Sequence, residues 1–94
     1  MMILGQTMLA FLGANAFSVE HGLSTPDDSE AAVKRAMITA ARRTVLLSDH
    51  TKLGRVAVFK YAEMSAIDVL ITDKGMTTKD VRALEAVGVQ VIRA

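Results

Sequence analysis

The sequence predicts an α/β fold: a mostly parallel sheet with helices on both faces, in a partial Rossmann-like arrangement. Three observations carry the prediction. Three apolar runs, MLAFLGA, TVLLSD and IDVLITD, are nearly continuous rather than alternating, the pattern of strands covered on both faces. Segments of helical spacing lie between strand runs, and that alternation marks parallel βαβ units. The composition is 51% hydrophobic and 22% charged, which is globular and too apolar for disorder.

The elements follow in chain order. MLAFLGA, from Met8, reads as a buried strand closed by Gly13. NAFSVEHGLSTPDDS reads as loop, punctuated by Gly22 and Pro26. A helix follows, capped by Ser29 or Asp28 with Glu30 in its first turn. Val33, Ala36, Met37, Ala40 and Ala41 share one face of it, and Arg42 and Arg43 fall in a last turn where cations suit the helix dipole. TVLLSD is the second buried strand. In RVAVFKYAEMSA, Val56, Val58 and Lys60 alternate with smaller residues, the pattern of a short strand. IDVLITD is the third parallel-type strand. Thr77 and Asp80 form a capping box for TKDVRALEAVG, with Val81, Leu84 and Val87 inward and Gly88 as the stop. VQVIRA closes as a last strand.

Ninety-four residues make one small domain or part of a larger one, able to bury roughly 60–65% of the unfolded surface. Eleven Lys and Arg against ten Asp and Glu leave a net charge of +1, without the broad basic face that duplex DNA demands. The chain has no cysteine, which excludes a disulfide framework or redox thiol and fits a cytoplasmic protein. The apolar start lacks a basic n-region and is broken by Gly5, Gln6 and Thr7, so neither a signal peptide nor a membrane span is expected. The chain opens almost directly on a buried strand, and two good helices are few for a sheet covered on both faces. It therefore reads as the second half of something larger.

In open α/β sheets ligands bind where strand C-termini meet loops. Three such loops carry polar residues: 13–15, 49–54 and 72–75. In the second, Lys52 suits a phosphate as a point charge, Gly54 allows close backbone approach, and Asp49 suits a sugar hydroxyl or holds Lys52. Spacing alone leaves a second reading open, that Asp49 and Lys52 are a solvated ion pair capping a turn. Residues 72–75 read as a turn only. His21 and His50 are the two histidines, and without a patterned carboxylate cluster no metal site is expected. Glu30 and Lys34 have the i,i+4 order of a surface ion pair. The six methionines read as core filler. No hydroxyl has a patterned base partner and no Gly-rich phosphate loop is present.

FLGANAFSVEHGLSTPD, EAAVKRAMITAARRTVLLSDHTKLGR and MSAIDVLITDKG, in that order, resemble the C-terminal part of the sensor domain of DeoR-family bacterial regulators of sugar metabolism. The resemblance runs from about Ala10 to the end. It implies that residues 1–94 are the C-terminal part of an effector-sensing domain, with the winged helix-turn-helix and the first half of the sensor outside them. It also implies a fold similar to ribose-5-phosphate isomerase and the CoA-transferases, a phosphorylated sugar or related metabolite as effector, no cofactor, and a homo-oligomer that reaches DNA only through the helix-turn-helix.

Carried over residue by residue, 49–54 matches the family's Asp-x-Ser-Lys-Phe-Gly motif, with Thr51 and Leu53 as mild substitutions. The resemblance makes Lys52 the principal effector contact, with Asp49 and Gly54 as its partners. Gly13 and Asn15 match a Gly-Ala-Asn-Gly loop in which Ala16 replaces the second glycine, and Met8 replaces an aspartate. A Cβ at Ala16 hinders a positive φ or a close ligand approach. The isomerases' catalytic glutamate falls at or near Lys34, which joins the expected effector site but cannot serve as a carboxylate base. A shifted alignment brings Glu30 there instead. The resemblance favours a sensor over its two rivals, an isomerase-like enzyme acting on a sugar phosphate and an association-only fragment.

Overall fold

The computed structural model describes residues 2–4 and 9–94. Met8, expected to begin a strand and to replace the family's aspartate, lies outside the described residues, as do Gly5, Gln6 and Thr7. The strands are β1 (Met2–Leu4), β2 (Leu9–Gly13), β3 (Ala16–Ser18), β4 (Gly22–Thr25), β5 (Arg43–Leu47), β6 (Phe59–Ala62), β7 (Val69–Thr72) and β8 (Gln90–Arg93). The helices are α1 (Asp28–Ala40), between β4 and β5, and α2 (Thr78–Ala86), between β7 and β8. Among the described residues no helix is long and apolar enough to cross a membrane.

The main sheet has the order β1-β2-β5-β7-β8. Its last four strands are mutually parallel, and β1 pairs antiparallel with β2. This is the α/β class expected from the apolar runs. Side chains in a strand alternate between faces. Leu12, Leu46 and Leu70 are fully buried on one face and join Ala31 of α1 and Leu84 of α2 in one core. Both helices therefore serve a single face, and the described residues supply no second helical layer. On the opposite face Val45 and Val69 are buried, but Leu47 and Ile92 remain 43% and 42% exposed.

The region read as loop after β2 holds a hairpin instead. β3, β4 and β6 form a separate antiparallel sheet in the order β3-β4-β6. Its polar strand residues are buried yet satisfied, Ser18 within the hairpin turn and Ser24 by a distant partner. The Ser18 hydroxyl accepts from His21 N–H at 2.9 Å, and the Ser24 hydroxyl accepts from Ala57 N–H at 2.9 Å. Val56 and Val58, assigned to a strand from the sequence, precede β6 and are exposed.

Helix α1 is capped by Asp27, whose carboxylate accepts from the Ser29 and Glu30 N–H groups, one residue before the expected caps. It stops at Ala40, so Arg43 opens β5 and no basic residue lies in the last turn. Its inward stripe is Ala31, Lys34, Met37 and Ile38; Val33 is 48% exposed, contrary to the expected face. Helix α2 follows the sequence closely. Thr77 accepts from Asp80 N–H at 3.2 Å, and Leu84 is buried. Its end is a Schellman turn: Gly88 has φ +94°, and Val89 N–H reaches Leu84 O at 3.2 Å.

Candidate functional site

Gly13 and Leu47 are register partners, as are Leu47 and Ile71. The loops that leave β2, β5 and β7 therefore emerge side by side at one rim of the sheet, where open α/β sheets bind ligands.

The first loop is tethered to α1. Lys34 is only 5% exposed. Its ammonium donates to Gly13 O at 2.9 Å and to Glu30 Oε1 at 2.8 Å, and lies 5.3 Å from the centre of the Tyr61 ring. The i,i+4 pair is thus a buried strut, not the surface pair the spacing suggested, because Lys34 occupies the middle of the inward stripe. Asn15 Nδ2 donates to Thr25 Oγ1 at 2.9 Å and to Glu30 Oε1 at 3.3 Å. Burial, with the Glu30 charge second, pushes the Tyr61 phenol up to about 12. Among the described residues its buried hydroxyl has no hydrogen-bond partner. Gly13, Ala14, Asn15, Glu30 and Lys34 line an open cleft of about 350 Å³. Ala16 enters β3 paired with Ser24, so it is a strand residue and occupies no special glycine conformation.

The second loop is a single 3₁₀ turn, His50–Lys52. Asp49 caps it, accepting from Thr51 N–H at 2.8 Å and from the Thr51 hydroxyl. Those two bonds, helped by the Lys52 and His50 charges, outweigh desolvation and hold the Asp49 carboxyl below its ordinary value. Asp49 therefore fixes the turn through Thr51 rather than by pairing with Lys52. The turn is docked on the hairpin layer: Leu53 bridges Phe17, and Gly54, at φ +89°, donates to Phe17 O at 2.8 Å. Lys52 is half-buried and, among the described residues, makes no ion pair.

The third loop was read only as a turn, yet it is joined to the second. His50 Nδ1 lies 2.8 Å from Asp73 Oδ1, and Gly75 N–H donates to the same oxygen at 3.0 Å. Desolvation raises Asp73, but the bonds from His50 and Gly75 outweigh it and leave the carboxyl below its usual value. The His50 ring sits over Gly75, where a Cβ would come within 2.4 Å of Nδ1 and Cε1. Gly75 was the available signal for this pairing.

The expected site residues are thus divided. Gly13, Asn15 and Lys34 meet in one cleft with Glu30. Gly54 lines a separate groove of about 290 Å³ against Lys79 and Asp80 of α2. Asp49 and Lys52 sit on the turn and line neither. Glu30, which the sequence brings here only through a shifted alignment, lines the cleft beside Lys34, and Tyr61, absent from the expected site, packs its ring against the Lys34 ammonium.

The family model for the DeoR C terminal sensor domain matches residues 6–74, so α2 and β8 lie beyond the match. The chain is 40% identical over 84 residues to the HTH-type transcriptional regulator GlpR of Haloferax volcanii, covering 89% of this chain and 33% of that protein. It is 42% identical over 65 residues to the HTH-type transcriptional repressor GlcR of Bacillus subtilis, with 69% and 25% covered. A putative aga operon transcriptional repressor of Escherichia coli O157:H7 is 33% identical over 84 residues, with 89% and 31% covered. The chain spans about a third or less of the length of these curated relatives.

Proposed function

Because this chain belongs to the DeoR family of C-terminal sensor domains, we propose that it is the effector-sensing part of a transcriptional regulator of carbohydrate metabolism, answering to a phosphorylated sugar. The observation that carries the reading is Lys52. It stands on a capped turn at the ligand rim, half-buried and without an ion-pair partner among the described residues. Lys34, the other lysine expected at the site, is already committed to Glu30 and Gly13 O. Of the two lysines expected at the site, Lys52 is therefore the one free to meet a phosphate, with Asp49 and Gly54 shaping its turn.

In this reading DNA contact belongs to a helix-turn-helix outside the 94 residues, consistent with the net charge of +1. The role is sensing rather than catalysis. Lys34 cannot act as a carboxylate base, and Glu30 already accepts hydrogen bonds from Lys34 and Asn15.

Thermal unfolding with a panel of phosphorylated sugars and their unphosphorylated counterparts tests this. A true effector at a hundredfold excess over its Kd adds about 2.7 kcal/mol, a Tm rise of roughly 10–20 °C for a domain of this size. The unphosphorylated counterpart is expected to give far less. Equal shifts from both forms, or none from the whole panel, would overturn the reading.

A further inference from the structure

The cleft beside Asn15 has its own chemistry, distinct from the Lys52 turn. An ammonium has three donors, and those of Lys34 are directed to Gly13 O, Glu30 Oε1 and the Tyr61 ring face. Its charge is matched by Glu30, so the cleft has no spare cation for an anionic group. What it offers is acceptors. The Glu30 side chain is 38% exposed, and only its Oε1 takes hydrogen bonds among the described residues. The Asn15 amide orientation is set by Glu30, because a carboxylate accepts only and must face Nδ2. Asn15 Oδ1, which accepts no hydrogen bond among the described residues, is then a second open acceptor. Two acceptors in an electrically balanced cleft of about 350 Å³ match adjacent hydroxyl groups.

The spacing to the turn supports the match. Asn15 leads directly into β3, and Leu53 bridges Phe17 on that strand. Two residues of strand and one inter-strand step separate Asn15 from Leu53, roughly 8 Å. That is the reach of a phosphorylated monosaccharide.

We propose that Glu30 and Asn15, braced by the buried Lys34, form a hydroxyl-recognition subsite for the uncharged, polyhydroxylated body of the ligand. This rests on the sugar-phosphate reading above and divides the work of that site: the turn reads the phosphate and the cleft reads the sugar.

The test is amide and side-chain NMR of the full chain, titrated separately with sorbitol and with inorganic phosphate. Glycine betaine, an osmolyte without hydroxyls, is the control. Sorbitol is expected to move the Asn15 side-chain NH₂ and Glu30 resonances saturably, and betaine to leave them still. Phosphate is expected to move the Thr51 to Gly54 amides. Glu30→Gln keeps shape but removes the charge, and is expected to weaken sorbitol roughly fivefold. Asn15→Ala, at an exposed position, gives a second reading if the first variant folds poorly. Sorbitol without effect on the cleft, phosphate acting there, or unchanged affinity in both folded variants would overturn the proposal. If sorbitol acts on the cleft while phosphate leaves the turn unmoved, the phosphate reading fails and the hydroxyl subsite stands.

Discussion

Replacing Lys34 by methionine separates two accounts of the same i,i+4 pair. A solvated Glu30–Lys34 pair on a helix surface contributes about 0.3–0.5 kcal/mol. In the structure the lysine is almost fully buried and makes two charge-assisted hydrogen bonds, each worth roughly 1.5–3 kcal/mol. Methionine keeps the stem, and both abandoned acceptors rehydrate, since Gly13 and Glu30 reach solvent. Loss of the lysine's own desolvation penalty offsets part of the damage. The expected net cost is about 2 kcal/mol, a fall in Tm of roughly 8–16 °C for a chain of this length. Urea unfolding measures it directly, with an unchanged m-value confirming that the native state stays compact. Because Glu30 acts through Lys34, the double variant Lys34→Met/Glu30→Gln is expected to cost no more than Lys34→Met alone. A Lys34→Met loss below about 0.5 kcal/mol, or strictly additive effects in the cycle, would return the pair to the surface and remove the strut.

Four further outcomes are expected. Lys52→Met, judged by calorimetry in the intact regulator, lowers affinity for the phosphorylated effector roughly 10- to 150-fold, from about 1.5–3 kcal/mol of lost charge-assisted bonding. Affinity for the free sugar stays level, and equal effector affinities would make Lys52 a turn residue only. Tyr61, followed by absorbance of the phenolate, ionises near 12 in the folded chain, against about 10 unfolded. The unfolded chain releases that proton first, so stability is intact below pH 10 and falls by on the order of 2–3 kcal/mol as pH rises towards 12; titration near 10 would refute it. Gly75→Ala displaces the His50 ring, and the Asp73 carboxyl, titrated by NMR, then moves back up toward its ordinary value; an unmoved midpoint would deny the coupling. Leu47→Lys with Ile92→Lys lowers self-association measured by light scattering, because both apolar residues stand half-exposed on one sheet face. An unchanged state would exclude that face.

The parallel strands were legible because both faces of TVLLSD and IDVLITD are apolar, although the helices of the described residues cover one face only. Helix α2 was legible because Thr77, Leu84 and Gly88 each act within their own segment. The β3–β4 hairpin was not. Its serines and threonine resemble loop residues, and what permits the burial of Ser24 and Thr25 is bonding to Ala57, Asn15 and Asp27, partners outside the hairpin itself. The face of α1 was misjudged because its inward stripe centres on a lysine, which a hydrophobic pattern pushes outward. Residues 49–54 were legible as a polar turn at a strand end, but the role of Asp49 lay in Thr51, and the partner of His50 lay 23 positions away.

The sheet also dictates an order of assembly. Leu9 must find Arg43 across the hairpin and α1, whereas Val45 meets Val69 and Val69 meets Gln90 across shorter and similar stretches, the last holding α2. Loop closure hardly separates the last two of these pairings, since its cost grows only with the logarithm of length, but the β7–α2–β8 unit carries its own start and stop signals at Thr77 and Gly88. It is therefore the expected nucleus of the parallel sheet, with β5 and then β2 adding outward. Parallel pairing of this kind is slow, and Leu47 and Ile92 stay in contact with water throughout. The chain therefore passes its folding time with an adhesive surface exposed, and its yield of native molecules is expected to depend on concentration long before its stability does.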